Sequence, residues 1–241
     1  MLRTMIAVLV VLIPQSLLSQ GNGFLNLTVP TGLEEGQAEF IVQHRFFGKI
    51  TEDPLDTFFG IDSGANVRIG LRMVLREDFG LVVSHIRMQK EYEVGLSYTC
   101  DIPHRLRTQG DVRVFSFKPG VQEREHGIFC QWALVGAPVL GRVTPALNLG
   151  YDSYEGSAGL GFGFDVALLE RLSLIGEYFP VLDGNGLSDC FALGINFRTY
   201  GHRFMLLSGN SSEIGTRRLM RGTGNGRDLY FGFNIRRLLF E

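Results

Sequence analysis

Arg68, Arg72 and Arg76 recur at every fourth position of the segment VRIGLRMVLR. On a β-strand that spacing puts all three guanidinium groups on one face, because neighbouring side chains point to opposite sides. Val67, Ile69, Leu71, Met73 and Leu75 then share the other face. Acidic and amide residues fall on the same kind of polar face elsewhere: Glu39, Glu91, Glu93, Asp165, Glu177 and Asn196, with Arg198 beside the last. Two chemistries fit this pattern. The arginines can line a water-filled pore and draw anions into it. Alternatively they pair with the carboxylates across a plugged interior. Pairing is the weightier reading, since both signs share the face. The lumen-lining candidates are Arg68, Arg72, Glu91, Glu93, Asp165, Glu177, Asn196 and Arg198.

Other reactive residues are scattered. The five histidines, His44, His85, His104, His126 and His202, show no HxH or HxxxH spacing, so convergent metal ligation is not expected. Ser84 and His85 are adjacent and therefore face opposite ways on a strand. Ser208 lies roughly 20 Å along the strand from His202 at about 3.3 Å per residue. With no G-x-S-x-G elbow, a serine hydrolase lacks its parts. The run from Gly222 to Gly226 lacks the Lys-Ser/Thr ending of a phosphate loop. It reads as the tip of a long, mobile external loop spanning 210–227. Cys100, Cys130 and Cys190 match no zinc or CxxC pattern, and three thiols allow at most one bridge. No catalytic residue, metal or cofactor is expected.

The elements that must position these residues are strands. The chain of 241 residues carries 31 Gly and 19 Phe, which favours tight turns and aromatic-rich strands. Residues 1–20 combine Arg3, an apolar run from Met5 to Ile13, and small or polar residues at Ser16, Ser19 and Gln20. That is a secretory signal peptide, too short to span a bilayer as a helix. Without Arg3 the count is 22 basic against 25 acidic residues, which leaves no basic excess for a nucleic acid backbone. No later stretch could form a membrane-spanning helix. A membrane location then requires a closed barrel, since lipid leaves no other way to satisfy a strand backbone.

Period-two alternation predicts twelve strands, at about 37–46, 64–76, 79–87, 91–99, 111–118, 127–135, 140–151, 158–169, 171–180, 190–200, 202–209 and 228–240. Phe162, Phe164, Phe191, Leu193, Phe231 and Phe233 fall on the apolar side and are expected to face lipid. Connections after even-numbered strands are mostly short and those after odd-numbered strands mostly long, as in barrels with periplasmic turns and external loops. The short connection at 88–90 and the long one at 100–110 break the rhythm. The last strand ends near Phe240, whose parity calls for a bulge near Arg236 and Arg237. The expected organisation is a signal peptide at 1–20, a periplasmic segment at 21–36 and an all-β, antiparallel transmembrane barrel at 37–241.

The chain resembles a family of uncharacterised outer-membrane β-barrel proteins of Gram-negative bacteria, grouped only as a domain of unknown function. The likeness rests on FIVQHRFFG (Phe40 to Gly48), FGIDSGANVRIGL (Phe59 to Leu71), GEYFPV (Gly176 to Val181), GHRFMLL (Gly201 to Leu207) and DLYFGFNIRR (Asp228 to Arg237). It covers nearly all of the chain beyond the leader. It implies secretion and a barrel, and no substrate.

The leading expectation is an outer-membrane barrel acting as a narrow pore or transport-related channel for small solutes. A non-conducting, structural or partner-binding barrel with a plugged lumen is the alternative, and a lipid-modifying enzyme stands last. Expected partners are outer-membrane lipid, the barrel assembly machinery during biogenesis, and small solutes. Nucleic acid is not among them.

Overall fold

The computed structural model describes residues 23–76, 78–102, 106–224 and 226–239. The signal peptide expected at 1–20 and Phe240 lie outside the described residues. Twelve antiparallel strands close into a barrel: β1 (Ala38–Lys49), β2 (Ala65–Arg76), β3 (Phe79–Ile86), β4 (Glu91–Ile102), β5 (Leu106–Phe117), β6 (Glu125–Gly136), β7 (Val143–Asp152), β8 (Ser157–Leu169), β9 (Leu172–Phe179), β10 (Cys190–Thr199), β11 (His202–Gly209) and β12 (Tyr230–Leu238). Each strand pairs with its sequence neighbours, and β12 closes on β1 with His44 opposite Phe233. A closed sheet leaves no unpaired edge, which is the condition for strands to exist in lipid.

Two expectations about strand ends change. β4 runs to Ile102 and β5 starts at Leu106, so only three residues connect the strands where a long connection was expected at 100–110, and the rhythm is restored. The pattern was hidden because the strand ends there are polar. Asp101 stands opposite Arg107 and accepts from its Nε at 2.7 Å, as exposed barrel rims allow. No bulge occurs near Arg236 and Arg237, where the register is continuous from Gly232 to Leu238. The irregularity of that pair lies at the other end, between Arg45 and Lys49. The connection at 88–90 stays short, a single 3-10 turn with Gln89 at φ 56°.

The apolar faces point outward. Phe162, Phe164, Phe191, Leu193 and Phe231 are all exposed on the outer wall, and Phe233 is half-exposed, stacked on His44 at 4.7 Å. Aromatic rings mark both ends of the wall, with Phe79 against Tyr98 at one end and His85 against Tyr92 at the other. Cys100, Cys130 and Cys190 are all free thiols. By the rule that the short turns are periplasmic, the barrel opens to the periplasm where β1 begins and β12 ends.

The interior is where the structure departs from expectation. Residues 23–36, expected in the periplasm, form a strap inside the lumen. Gly23 lies against Met205 and Arg203, Phe24 to Val29 are buried, and the chain returns to the periplasmic mouth before β1. Nor is the 210–227 loop free outside. It folds inward and forms a short helix, α1 (Thr216–Arg221), with Thr216 to Met220 buried. Physical need explains both corrections. Twelve strands enclose more room than their side chains fill. Phe24, Leu25, Leu27, Leu219 and Met220 fill it, packed on the inward rings of Phe115, Phe129 and Phe179.

Candidate functional site

The site is the stoppered lumen. Glycines on β7 and β8 make room for both stoppers. A Cβ on Gly161 would lie 2.6 Å from the Phe179 ring and 2.9 Å from Leu27, and one on Gly163 would lie 2.8 Å from Leu27. On Gly159 it would meet the Cβ of Met220 at 2.4 Å. The small faces of these strands are therefore a groove shaped for the strap and α1.

An irregular backbone at membrane depth needs every polar group matched. Inward side chains from six strands supply the partners. Arg236 on β12 donates to Phe24 O at 2.9 Å. Gln43 on β1 and Asn234 on β12 both donate to Leu25 O, at 2.8 and 2.7 Å. The Glu177 carboxylate on β9 accepts from Asn26 N with both oxygens at 2.9 Å, and from Leu27 N at 3.1 Å. Asn148 on β7 bonds Thr28 twice, accepting from its N–H and donating to its carbonyl, both at 2.8 Å. Arg72 on β2 donates to Val29 O at 3.3 Å, and Gln109 on β5 accepts from Thr31 N at 3.2 Å.

The helix α1 is held by charge. Arg217 and Arg218 both reach Glu91 Oε2 at 2.5 Å, and Arg217 also pairs with Asp152 at 2.9 Å. The Arg217 guanidinium sits 3.8 Å over the Phe115 ring centroid, close enough for a cation–π attraction. The two stoppers also touch each other: Thr216 Oγ1 donates to Asn26 O at 2.9 Å. Two cavities beside α1 hold about 10 Å³ each, too little for more than a water apiece. The strap and α1 thus fill the middle of the barrel. A larger space of about 380 Å³ remains at the periplasmic mouth.

The structure places the predicted residues as follows. Arg68 pairs with Glu93 at 2.9 Å, and Glu93 also accepts from Ser84 at 2.7 Å. Arg72 holds the strap rather than a carboxylate. Glu91 takes the two helix arginines, and Glu177 takes the strap. Asp165 and Asn196 are buried in a cluster around Ser173, to whose Oγ Asn196 donates at 3.2 Å. Arg198 stands half-exposed near the periplasmic end and donates to Glu170 O at 3.2 Å. The eight candidates do not converge on one point. Arg68 with Glu93 is the one pair that they form among themselves within salt-bridge distance.

The residues that the sequence reading missed are the strap itself, α1, and the inward amides Gln43, Gln109, Asn148 and Asn234. The available signal was Arg217-Arg218 followed by Leu219-Met220, a charged and apolar block out of place in a Gly- and Ser-rich loop.

Solved structures share this architecture. The KdgM porin superposes with a TM-score of 0.56 at 12% identity, covering 85% of this chain and 99% of that one. A KdgM porin in complex with disordered oligogalacturonate gives 0.58 at 11% identity, covering 84% and 99%. The Acinetobacter baumannii outer membrane protein Omp33 gives 0.51 at 9% identity, covering 85% and 99%. At such identities the likeness is one of fold. No curated protein matches the sequence. The family pattern of the membrane-bound β-barrel domain DUF5777 matches residues 21–101 and 148–239, and the chain belongs to that family.

Proposed function

We propose that the protein is a non-enzymatic outer-membrane channel for small solutes, held shut by its own strap and α1. The observation that carries this reading is the separation of wall from stopper. The wall presents Gln43, Asn148, Asn196, Asn234 and a row of glycines to the lumen, a surface that water can solvate once the stoppers leave. The stoppers bring Phe24, Leu25, Leu27, Val29, Leu219 and Met220 into the lumen, where they meet the inward rings of Phe115, Phe117, Phe129 and Phe179. Both stoppers are held by hydrogen bonds and ion pairs that water can replace, so displacing them does not dismantle the barrel.

A second reading is the sealed scaffold, and one observation favours it. The buried Arg217–Glu91–Arg218 cluster is costly to break, on the order of 3–5 kcal/mol for a buried pair that loses one partner. Solute uptake separates the two. Proteoliposomes carrying the wild type should swell slowly in a small neutral sugar such as arabinose. A Glu177→Ala, Glu91→Gln double variant, shown to be folded by heat-modifiable gel mobility, should swell several-fold faster. Swelling no faster than in empty liposomes for both proteins would leave the scaffold.

A further inference from the structure

The periplasmic mouth gathers more positive charge than holding the strap requires: Arg72 and Arg236 each give one donor to a strap carbonyl, and Arg203 and Arg198 stand beside them in the sheet. Arg203 on β11 stands directly opposite Arg236 on β12, and Arg198 on β10 stands directly opposite Arg203. Three arginines thus occupy consecutive cross-strand positions on neighbouring strands. Like charges placed directly opposite destabilise a sheet. Arg72 joins the girdle from β2, two strands beyond Arg236, with Glu39 of β1 directly opposite it. Among the described residues, Arg236 with Glu39 at 3.9 Å is the ion pair of this girdle.

Arg72, Arg203 and Arg236 line the 380 Å³ cavity. Arg72 and Arg236 are each only 8% exposed, and the Nε of each is buried with no hydrogen-bond partner among the described residues. Arg198 Nε is in the same condition. A buried guanidinium normally has its donors matched. The carboxylates on the cavity wall are Glu39 and, at the exposed rim, Glu34. The wall therefore concentrates positive charge in a concave space of small-molecule size, open at the periplasmic end.

From this arrangement we infer that the periplasmic mouth is a binding site for a small multivalent oxyanion, of polycarboxylate or phosphate type, gripped by Arg72, Arg203 and Arg236. Guanidinium groups suit that ligand because their paired donors match two oxygens of a carboxylate or phosphate at once. An anion seated there relieves the Arg198–Arg203–Arg236 repulsion. The site is complete with the strap in place, so it does not depend on whether the barrel conducts.

Calorimetric titration of the purified protein in zwitterionic detergent at low salt tests the site. Citrate and inorganic phosphate are the probes and sorbitol is the neutral control. Saturable one-site binding of at least one anion is expected, with none for sorbitol. Arg203→Gln leaves the strap's carbonyl partners in place and should weaken binding about tenfold. Arg203→Lys, which keeps the charge and loses the fork, should weaken it about threefold and stands in if the glutamine variant does not fold. Arg237→Gln, an exposed arginine at the same end, should bind as the wild type does. Absence of saturable binding by both anions would overturn the site. So would wild-type affinity in the Arg203 variants, or an equal loss in Arg237→Gln, which would mean surface counterion uptake only.

Discussion

Glu177 and Asn26 are 151 residues apart and meet inside the barrel, where the carboxylate accepts the Asn26 backbone N–H at 2.9 Å with both of its oxygens. The Asn26 side-chain amide adds a third bond at 3.0 Å. This single wall residue holds the deepest part of the strap. Hydrogen bonds to a charged group contribute about 1.5–3 kcal/mol each. Glu177→Ala should therefore raise amide exchange across residues 24–29 by tenfold or more, while the strands keep their protection. Mass-spectrometric hydrogen exchange reads the difference, and unchanged protection of the strap would show that other contacts suffice.

Gly161 makes a separate prediction through space rather than charge. Gly161→Val puts methyl groups where Phe179 and Leu27 now lie. Overpacking of this kind costs about 1–3 kcal/mol. The variant should lose its compact gel mobility at a lower temperature than the wild type, and its strap should exchange faster. The same substitution at Ala158, on the outward face of the same strand, should leave both quantities near wild type.

What was legible in the sequence was the part of the molecule that meets lipid. Leu160, Phe162 and Phe164 alternate with glycines because one side of β8 is solvated by hydrocarbon, and that regularity survives in the linear chain. The strap was illegible for a physical reason. Its residues, FLNLTV, lie ahead of the first strand, and their partners are single amides, acids and arginines dispersed from Gln43 to Arg236. No local motif exists for such a contact. The glycines of β8 were visible as a pattern, yet read only as the small side of a strand and not as room for another segment. Arg217 likewise finds Glu91 at a separation of 126 residues, so the loop looked like a mobile tip. The arginine ladder was readable as a charged interior. That Arg68 would take Glu93 while Arg72 took a backbone carbonyl depended on the strap, which period-two reasoning does not see.

Glu91 tests the second stopper. Glu91→Gln leaves Arg217 and Arg218 buried with their shared counter-charge gone, a loss on the order of 3–5 kcal/mol. The helix should leave the lumen. Trypsin added to intact cells should then cut after Arg217 and Arg218, which are buried in the wild type. Equal resistance at these two bonds in variant and wild type would mean that packing of Leu219 and Met220 holds α1 unaided.

The external loop at 180–189 should respond to acid. Asp189 accepts from the Tyr178 hydroxyl and from Val181 N at 2.9 Å, and these bonds hold its carboxyl below the usual aspartate range. A depressed carboxyl contributes stability that is present above its unfolded pKa, about 3.9, and is lost as pH falls through the folded value. Exchange of the loop amides, corrected for the intrinsic pH dependence, should therefore rise below about pH 4. Asp189→Asn should abolish that dependence.

The central claim is that a solvatable wall is closed by the chain's own strap and α1. Planar-bilayer recording of the wild type beside a variant lacking residues 23–33 tests it most directly. The wild type should be silent or show only brief openings, and the deletion variant should show long-lived openings of uniform size. A folded deletion variant as silent as the wild type would contradict the claim, as would a wild type already open at the same conductance.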